Sequence, residues 1–216
     1  TRTAPIDQQR MFRYAIQTST ASGEVTRQPS WVLQNDEPQY YGDITAPTET
    51  FNTLPVIHLF VNPVNQAAMD LQGSAAGGTR CSVYYDGEFY DNVYIEVRGN
   101  TTASLKKKSH ALRFNKGYEF RHPQSTSASD RVRKTSFISE YQDPSYLRQY
   151  LSFWLIRQAG AHAPFTYPVR LQMNQGGANY ASFYQVAFHS QRLTDELLET
   201  YGLDKNGELY KNVGVV

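Results

Sequence analysis

The chain has 216 residues, of which 40% are hydrophobic and 19% charged, and its formal net charge is +1. This composition is typical of a folded globular domain, and the low net charge excludes a general electrostatic attraction to nucleic acid or to acidic membranes. No apolar run approaches the roughly 18 residues of a membrane span, and a single cysteine, Cys81, excludes an internal disulfide.

The first part of the chain carries no pattern of an independent core. Residues 11–17 predict one strand, and a lone strand is unstable, so we interpret residues 1–30 as the end of a preceding β domain. Prolines and scattered polar residues make residues 31–52 a predicted linker, which lies over the next domain through Tyr40 and Tyr41.

The main domain is predicted over residues 53–216. It opens with an apolar run at 54–61 that is typical of a buried strand. The Asp-Gly pair at 86–87 predicts a hairpin between strands at 81–85 and 88–97, because these two residues favour the left-handed backbone of a tight turn.

The loop after this hairpin is the strongest candidate for a binding site. Strands are predicted over 93–97 and 110–114, and the loop between them combines a glycine, hydrogen-bond donors and three lysines. A glycine lets backbone N–H groups converge on an oxyanion, hydroxyl groups add directional bonds, and lysine supplies a mobile positive charge. The loop therefore predicts an anion site, and its candidate residues are Arg98, Gly99, Asn100, Thr101, Thr102, Lys107 and Lys108.

A solvated surface loop is the alternative interpretation. Neither the Walker spacing nor the GxGxxG pattern of phosphate loops occurs in the chain. Residues 100–102 also fit the N-glycosylation acceptor pattern, which would indicate only an exposed loop.

The clearest helix is predicted to begin at Asp143 and to end at Gly160. Asp143 suits the N-cap, Pro144 the first helical position and Gly160 the C-terminal cap. Leu151 and Trp154 belong to an apolar stripe at helical spacing, so we expect this helix to pack on the sheet.

Two further elements follow this helix. Strands over 169–173 and 181–188 flank a turn-rich stretch, which predicts a second hairpin. A short helix is predicted over 194–201 from its N-terminal threonine and the acidic residues of its first turn.

Several motifs occur in an order that resembles the spore coat protein H (CotH) kinase family, the atypical protein kinases of bacterial spores and cell surfaces. The resemblance covers about residue 54 to the C-terminus, and several motifs in the same order are more specific than any one of them. The matching motifs are RGNTT at 98–102, KKSH at 107–110, DPSYLR at 143–148, GAHAP at 160–164 and GELYK at 207–211.

The resemblance implies a fold, a set of cofactors and a location. The fold is α+β and atypical protein-kinase-like, an antiparallel sheet with packed helices, of which this chain holds the N-terminal part and is incomplete at the C-terminus. The cofactors are ATP and magnesium, and the reaction is phosphorylation of Ser or Thr on surface or spore-coat proteins outside the cell. The loop 98–102 would face the nucleotide phosphates, Lys107 or Lys108 would contact ATP, and Glu140 is a candidate partner of that lysine.

The chain departs from the family pattern in two places. Ser182-Phe183-Tyr184 stands where other members carry Gly-Leu-Tyr, and no clear glutamate precedes Gln191. The magnesium-binding aspartates of the family lie in a later segment, so this chain offers no metal ligands and its catalytic residues are unassigned. We therefore expect weak nucleotide binding and no phosphoryl transfer by this segment alone.

A non-catalytic binding module, as in the invasin-like members of the family, is the alternative function. The partner would then be a surface protein and not a substrate. The sequence does not decide between an active kinase and a binder, and it leaves the oligomeric state open.

Overall fold

The structure is a computed structural model that describes residues 10–29, 36–45, 50–99, 101–125, 130–174 and 182–210. The fold is mostly β, with 42% strand and 19% helix, and seven of the described strands close into a barrel. The prediction of an α+β, kinase-like sheet with packed helices is therefore wrong. Among the described residues, no helix has the length and apolar character that a membrane crossing requires.

The described strands are β1 (Met11–Tyr14), β2 (Ile16–Ser19), β3 (Val25–Gln28), β4 (Tyr41–Ile44), β5 (Thr50–Phe51), β6 (Leu54–Val61), β7 (Gly78–Tyr85), β8 (Glu88–Arg98), β9 (Ser109–Arg113), β10 (Lys134–Ile138), β11 (Thr166–Met173) and β12 (Ser182–Gln191). The described helices are α1 (Pro63–Gln72), α2 (Arg148–Gln158) and α3 (Asp195–Thr200). The predicted hairpin at 86–87, the second hairpin and the short helix near 195 are confirmed.

Strand pairing runs in the order β11-β12-β10-β9-β8-β7-β6 with antiparallel neighbours. A parallel pairing between β11 and β6 closes the ring, and it joins Arg170 with Val56 and Met173 with Leu59. Asn174 fastens this junction, because its side chain accepts from the N–H of Val61 and donates to the carbonyl of Val61, both at 2.7 Å. Closure leaves the barrel strands without a free edge.

The barrel interior is the hydrophobic core. On β8, Val93, Ile95 and Val97 point inward, and the residues between them are only half-buried. In the antiparallel pairing of β8 with β9, Ile95 lies opposite Leu112 and Val97 opposite His110. The prediction that 93–97 and 110–114 belong to antiparallel neighbours is confirmed, although β9 ends at Arg113.

The segment between β9 and β10 covers one end of the barrel. Phe120 is fully buried there and stacks on Phe114 with ring centroids 4.8 Å apart. Arg131 binds this segment to β8 through two 2.7 Å hydrogen bonds to the carboxylate of Glu88. A planar guanidinium on a carboxylate fixes both distance and orientation.

Helix α2 differs from its prediction in start and in packing. It begins at Arg148, and Asp143 lies in the preceding turn, where its carboxylate accepts from the N–H groups of Ser145 (3.1 Å) and Arg148 (3.0 Å). None of its residues is buried, and Leu151 and Trp154 are 45% and 41% exposed. The predicted packing of the Leu151 and Trp154 stripe on the sheet is wrong. Most apolar side chains of the sheet point into the barrel, and α2 meets its outer face through Tyr150, which stacks on the buried Phe188.

Among the N-terminal strands, β4 lies against β8, and its Ile44 is buried with Phe60 and Tyr84 of the barrel strands. β1 pairs with β4, and β2 pairs with β3. The buried carboxylate of Asp91 on β8 accepts from the N–H groups of Gln39 (3.1 Å) and Tyr40 (3.0 Å). The segment around Tyr40 is thus bound to the barrel by hydrogen bonds. The predicted domain boundaries after residues 30 and 52 stay predictions.

Candidate functional site

The predicted loop and lysines lie at the end of the barrel opposite Phe120. At this end β8 stops at Arg98 and β9 starts at Ser109. Helix α1 lies here as well, and its Met69 belongs to the same buried cluster as Val97 and Ala103. We call this end of the barrel the α1 end.

The loop leaves β8 through a residue that has to be glycine. Gly99 has φ +106°, and a Cβ there would overlap the side-chain oxygen of Thr102. The chain then forms a 3-10 turn over Thr101–Ser104, which buries Ala103. Asn100 and the side chain of Thr101 lie outside the described residues. Gly99 thus permits a turn that brings Thr102 over it, whereas its predicted role in binding an anion stays a prediction.

The ammonium groups of both predicted lysines donate hydrogen bonds to backbone carbonyls. Lys108 is 4% exposed, and its Nζ donates to the carbonyl of Ala103 at 2.7 Å. Lys107 is half-buried, donates to the carbonyl of Tyr184 and lies 4.8 Å from the centroid of that ring. The loop and the lysines therefore meet, since Ala103 belongs to the turn that follows Gly99.

Two residues not predicted for the site, Asp70 and Tyr184, complete its electrostatics. Burial raises the pKa of Asp70, against the opposing charges of Lys108 and Lys107. Burial and the charge of Asp70 raise the pKa of Tyr184 to about 12. Burial and the charge of Lys108 lower the pKa of His110 to about 4, so this imidazole is neutral at neutral pH. We give the name lysine cluster to the five residues Asp70, Lys107, Lys108, His110 and Tyr184.

A signal in the sequence could have located Asp70. Asn62 precedes Pro63, and this pair is typical of a helix N-cap followed by the first helical position. The Asn62 side chain accepts from the N–H of Val64 at 3.0 Å and starts α1, which carries Asp70. No comparable local signal marks Tyr184, because its contacts depend on the pairing of distant strands.

Glu140 lies beside the candidate loop but forms no ion pair with the lysines among the described residues. It lines a cavity of about 270 Å³ with Thr102, Ser109 and Asp143. Burial and the charge of Asp143 raise the pKa of Glu140. No ion pair joins Glu140 to a lysine within the described ranges, so the role of Glu140 as a lysine partner stays a prediction.

The side chain of Arg98 also lies apart from the lysines. Side chains alternate along β8, so Arg98 lies on the outer face while Val97 points inward. Burial and the nearby charge of Arg192 lower the pKa of Arg98. The predicted site is thus divided between the α1 end and the outer face of the barrel.

A lysine at the site suits the phosphates of ATP. Lys107 keeps its charged group at a half-buried position, and the Thr102 side-chain oxygen lies against Gly99. Among the residues that the structure describes, no group of three His, Cys, Asp or Glu side chains could hold a metal ion. We therefore assign no magnesium ligand.

A comparison with known families gives a match over more than half of the chain. The model of the CotH kinase protein family matches residues 95–213, a span that includes the Gly99 turn, both lysines, α2 and α3. No curated protein matches the chain.

Proposed function

Since this chain belongs to the CotH kinase family, we propose that it supplies the phosphate-binding side of an ATP-dependent kinase that modifies Ser or Thr of surface or spore-coat proteins. The main support for the proposal is that the candidate loop and the lysines lie in contact at the α1 end. Lys108 bonds to the backbone of the Gly99–Ser104 turn at 2.7 Å, so the two predicted halves of an anion site form one unit.

We assign ATP contact to Lys107 and a positioning role to Lys108. The ammonium group of Lys108 is buried on the Ala103 carbonyl, and moving it would leave that carbonyl unpaired. Lys107 is half-buried, and its ammonium group has three N–H donors, so it can reach a phosphate oxygen while it keeps its bond to the Tyr184 carbonyl. Bound ATP would supply the phosphoryl group, and Thr102 and Lys107 would hold its phosphate oxygens.

Nucleotide binding by lysine variants tests this assignment. Lys107→Ala removes a charge-assisted hydrogen bond of about 1.5–3 kcal/mol and should raise the Kd for ATP roughly tenfold or more. Isothermal titration calorimetry measures the change. The matched control is Lys106→Ala, because Lys106 is the exposed neighbour in the same lysine run and should change the Kd less than about twofold.

The assignment is wrong if Lys106→Ala and Lys107→Ala weaken binding equally, since the effect would then come from general charge. It is also wrong if Lys107→Ala binds ATP as tightly as the unmodified chain. Lys108→Ala should lower the melting temperature as well as the affinity, because it leaves the Ala103 carbonyl unpaired.

A non-catalytic binding module is the second candidate function. The exposed apolar side chains of α2, among them Leu151 and Trp154, favour it, because a contiguous exposed apolar surface is typical of protein interaction sites. A chain that binds no ATP under any of these conditions, and that transfers no label from ATP to a Ser-rich acceptor, supports this candidate over the kinase.

A further inference from the structure

A row of polar side chains crosses the outer face of the barrel, away from the lysine cluster. The strand register places Arg80 opposite Tyr94, Tyr94 opposite Arg113, and Arg113 opposite Lys134. These four residues therefore lie side by side on β7, β8, β9 and β10, and we call them the basic row. They face outward, because the adjacent Cys81, Val93 and Leu112 are in the core.

The tyrosine of the basic row holds two of its cations in place. The guanidinium carbons of Arg80 and Arg113 lie 5.7 Å and 5.1 Å from the centroid of the Tyr94 ring. A guanidinium at this distance from an aromatic ring is attracted to it. The Tyr94 hydroxyl donates to Glu96 at 3.2 Å, which fixes the ring in turn. The row is therefore ordered before any partner arrives.

A groove runs along the basic row. Two cavities of about 500 Å³ and 420 Å³ adjoin, since both are lined by Tyr94 and Arg113. Small residues line the groove, and a Cβ at Gly78 would overlap the Tyr94 ring. Four strands spaced about 4.8 Å apart span roughly 14 Å, the length of about four residues of extended peptide.

Four cations line this groove, Arg80, Arg113, Lys134 and Arg192, against three carboxylates, those of Glu96 in its lining and of Asp195 and Glu196 beside Lys134. Lys134 is 3.5 Å from the exposed Asp195, but neither Arg113 nor Arg192 has a carboxylate within ion-pair distance in the described part of the chain. Arg192 lines the groove beside Lys134. The nearby charge of Arg192 also contributes, after burial, to the lowered pKa of Arg98. The groove therefore favours an anionic occupant.

We propose that this groove binds an extended peptide segment with acidic side chains. Guanidinium groups bind carboxylates through paired hydrogen bonds, which suits Arg113 and Arg192. Glu96 interrupts the positive surface between Tyr94 and Arg98 on β8. A uniform phosphate backbone would bring a phosphate against Glu96, whereas a peptide of mixed sequence can place a hydroxyl or amide donor there. The groove lies on a different surface from Lys107 and Lys108, so the inference goes beyond the proposed nucleotide binding and is independent of it.

Fluorescence anisotropy with a labelled peptide of alternating Glu and Ser tests the inference. We expect saturable binding that weakens with added salt, and no binding of the matched Gln and Ser peptide. Arg113→Gln combined with Arg192→Gln should raise the Kd by about tenfold, since each exposed charge pair contributes modestly. The control combines Lys116→Gln with Lys205→Gln, which makes the same charge change at exposed positions elsewhere and should alter the Kd less than about twofold.

Three outcomes would overturn the inference. The peptide does not bind, or the control variant loses as much affinity as the groove variant, or single-stranded oligo-dT of equal charge binds at least as tightly as the peptide. The last result would assign the groove to nucleic acid. Both arginines point outward, so thermal melts should show folded variants. If the double variant fails to fold, Lys134→Gln should still weaken peptide binding about threefold, and an unchanged Kd in that variant counts against the groove.

Discussion

At the residue scale, the barrel keeps buried histidines neutral. Burial and the charge of Lys108 lower the pKa of His110 to about 4. Burial also lowers the pKa of His189, with a further contribution from His122, whose ring stacks on it at 5.2 Å. His122 has a lowered pKa as well, since burial outweighs the nearby Asp130 carboxylate. In the unfolded chain a histidine titrates near 6.5.

We predict that these histidines make the fold acid-labile. Because the unfolded state binds more protons than the folded state between about pH 6.5 and pH 4, their contribution is complete above pH 6.5 and is lost as the pH falls. His110 alone contributes up to about 3 kcal/mol to this loss, from its shift to about 4. His110→Gln should therefore flatten the pH dependence, as measured by urea unfolding at pH 7 and pH 4.5.

The matched control is His162→Gln, which changes an exposed histidine. It should leave the difference in unfolding free energy between the two pH values unchanged. Carboxylates that titrate in the same range contribute equally to all three proteins and cancel in the comparison. An unflattened profile for His110→Gln would contradict the prediction.

At the scale of single elements, α2 is a helix whose side chains the barrel does not bury. It contacts the barrel through Tyr150, which stacks on Phe188 at 6.0 Å, and through Arg157, which donates to the carbonyl of Pro164 at 2.8 Å. Its apolar residues thus add little to the stability of the isolated chain and are available for a partner.

We predict that polar substitutions on α2 leave the fold intact. Leu151→Ser combined with Trp154→Ser should change the free energy of unfolding by no more than about 2 kcal/mol, since both side chains are partly exposed. Leu112→Ala, at a fully buried position of β9, should cost about 2–5 kcal/mol. Chemical denaturation of the three proteins gives both values. A large loss from the α2 variant would show that these side chains are covered in the folded chain.

At the scale of the whole molecule, a polar contact just after β11 reinforces the parallel pairing of β6 with β11 that closes the barrel. The side chain of Asn174 pairs both with the N–H and with the carbonyl of Val61, and all these groups are buried. Removing the side chain would leave two backbone groups without partners in the interior. Such groups are costly, because the surrounding protein cannot replace the lost hydrogen bonds.

We predict that Asn174→Ala lowers the free energy of unfolding by about 2–4 kcal/mol. Hydrogen exchange should show the loss of protection concentrated in β6 and β11, since their pairing closes the barrel. Asn206→Ala, in an exposed turn, is the control and should cost less than about 1 kcal/mol. Uniform loss of protection across the barrel would argue that closure does not depend on this contact.

The sequence by itself determined the local elements and the family. Alternating apolar residues at 93–97 and the Asp-Gly turn at 86–87 each follow from short-range chemistry, and the structure has them where they were predicted. The order of motifs also identified the family. Nucleotide binding by the loop residues and the lysines stays a prediction.

Only the tertiary structure decided how these elements combine. An alternating pattern shows that a strand is half-buried but not which strand it pairs with, so the closure of β6 on β11 could not be predicted across the 113 residues that separate Val61 from Asn174. The same limit applies to α2, since its apolar stripe predicts packing on a sheet whose apolar side chains mostly point into the closed barrel. It applies to Lys107, Lys108 and Arg98 as well. Lys107 contacts Tyr184, Lys108 contacts Ala103, and Arg98 lies near Arg192. These contacts depend on strand register and on whether each side chain points inward or outward.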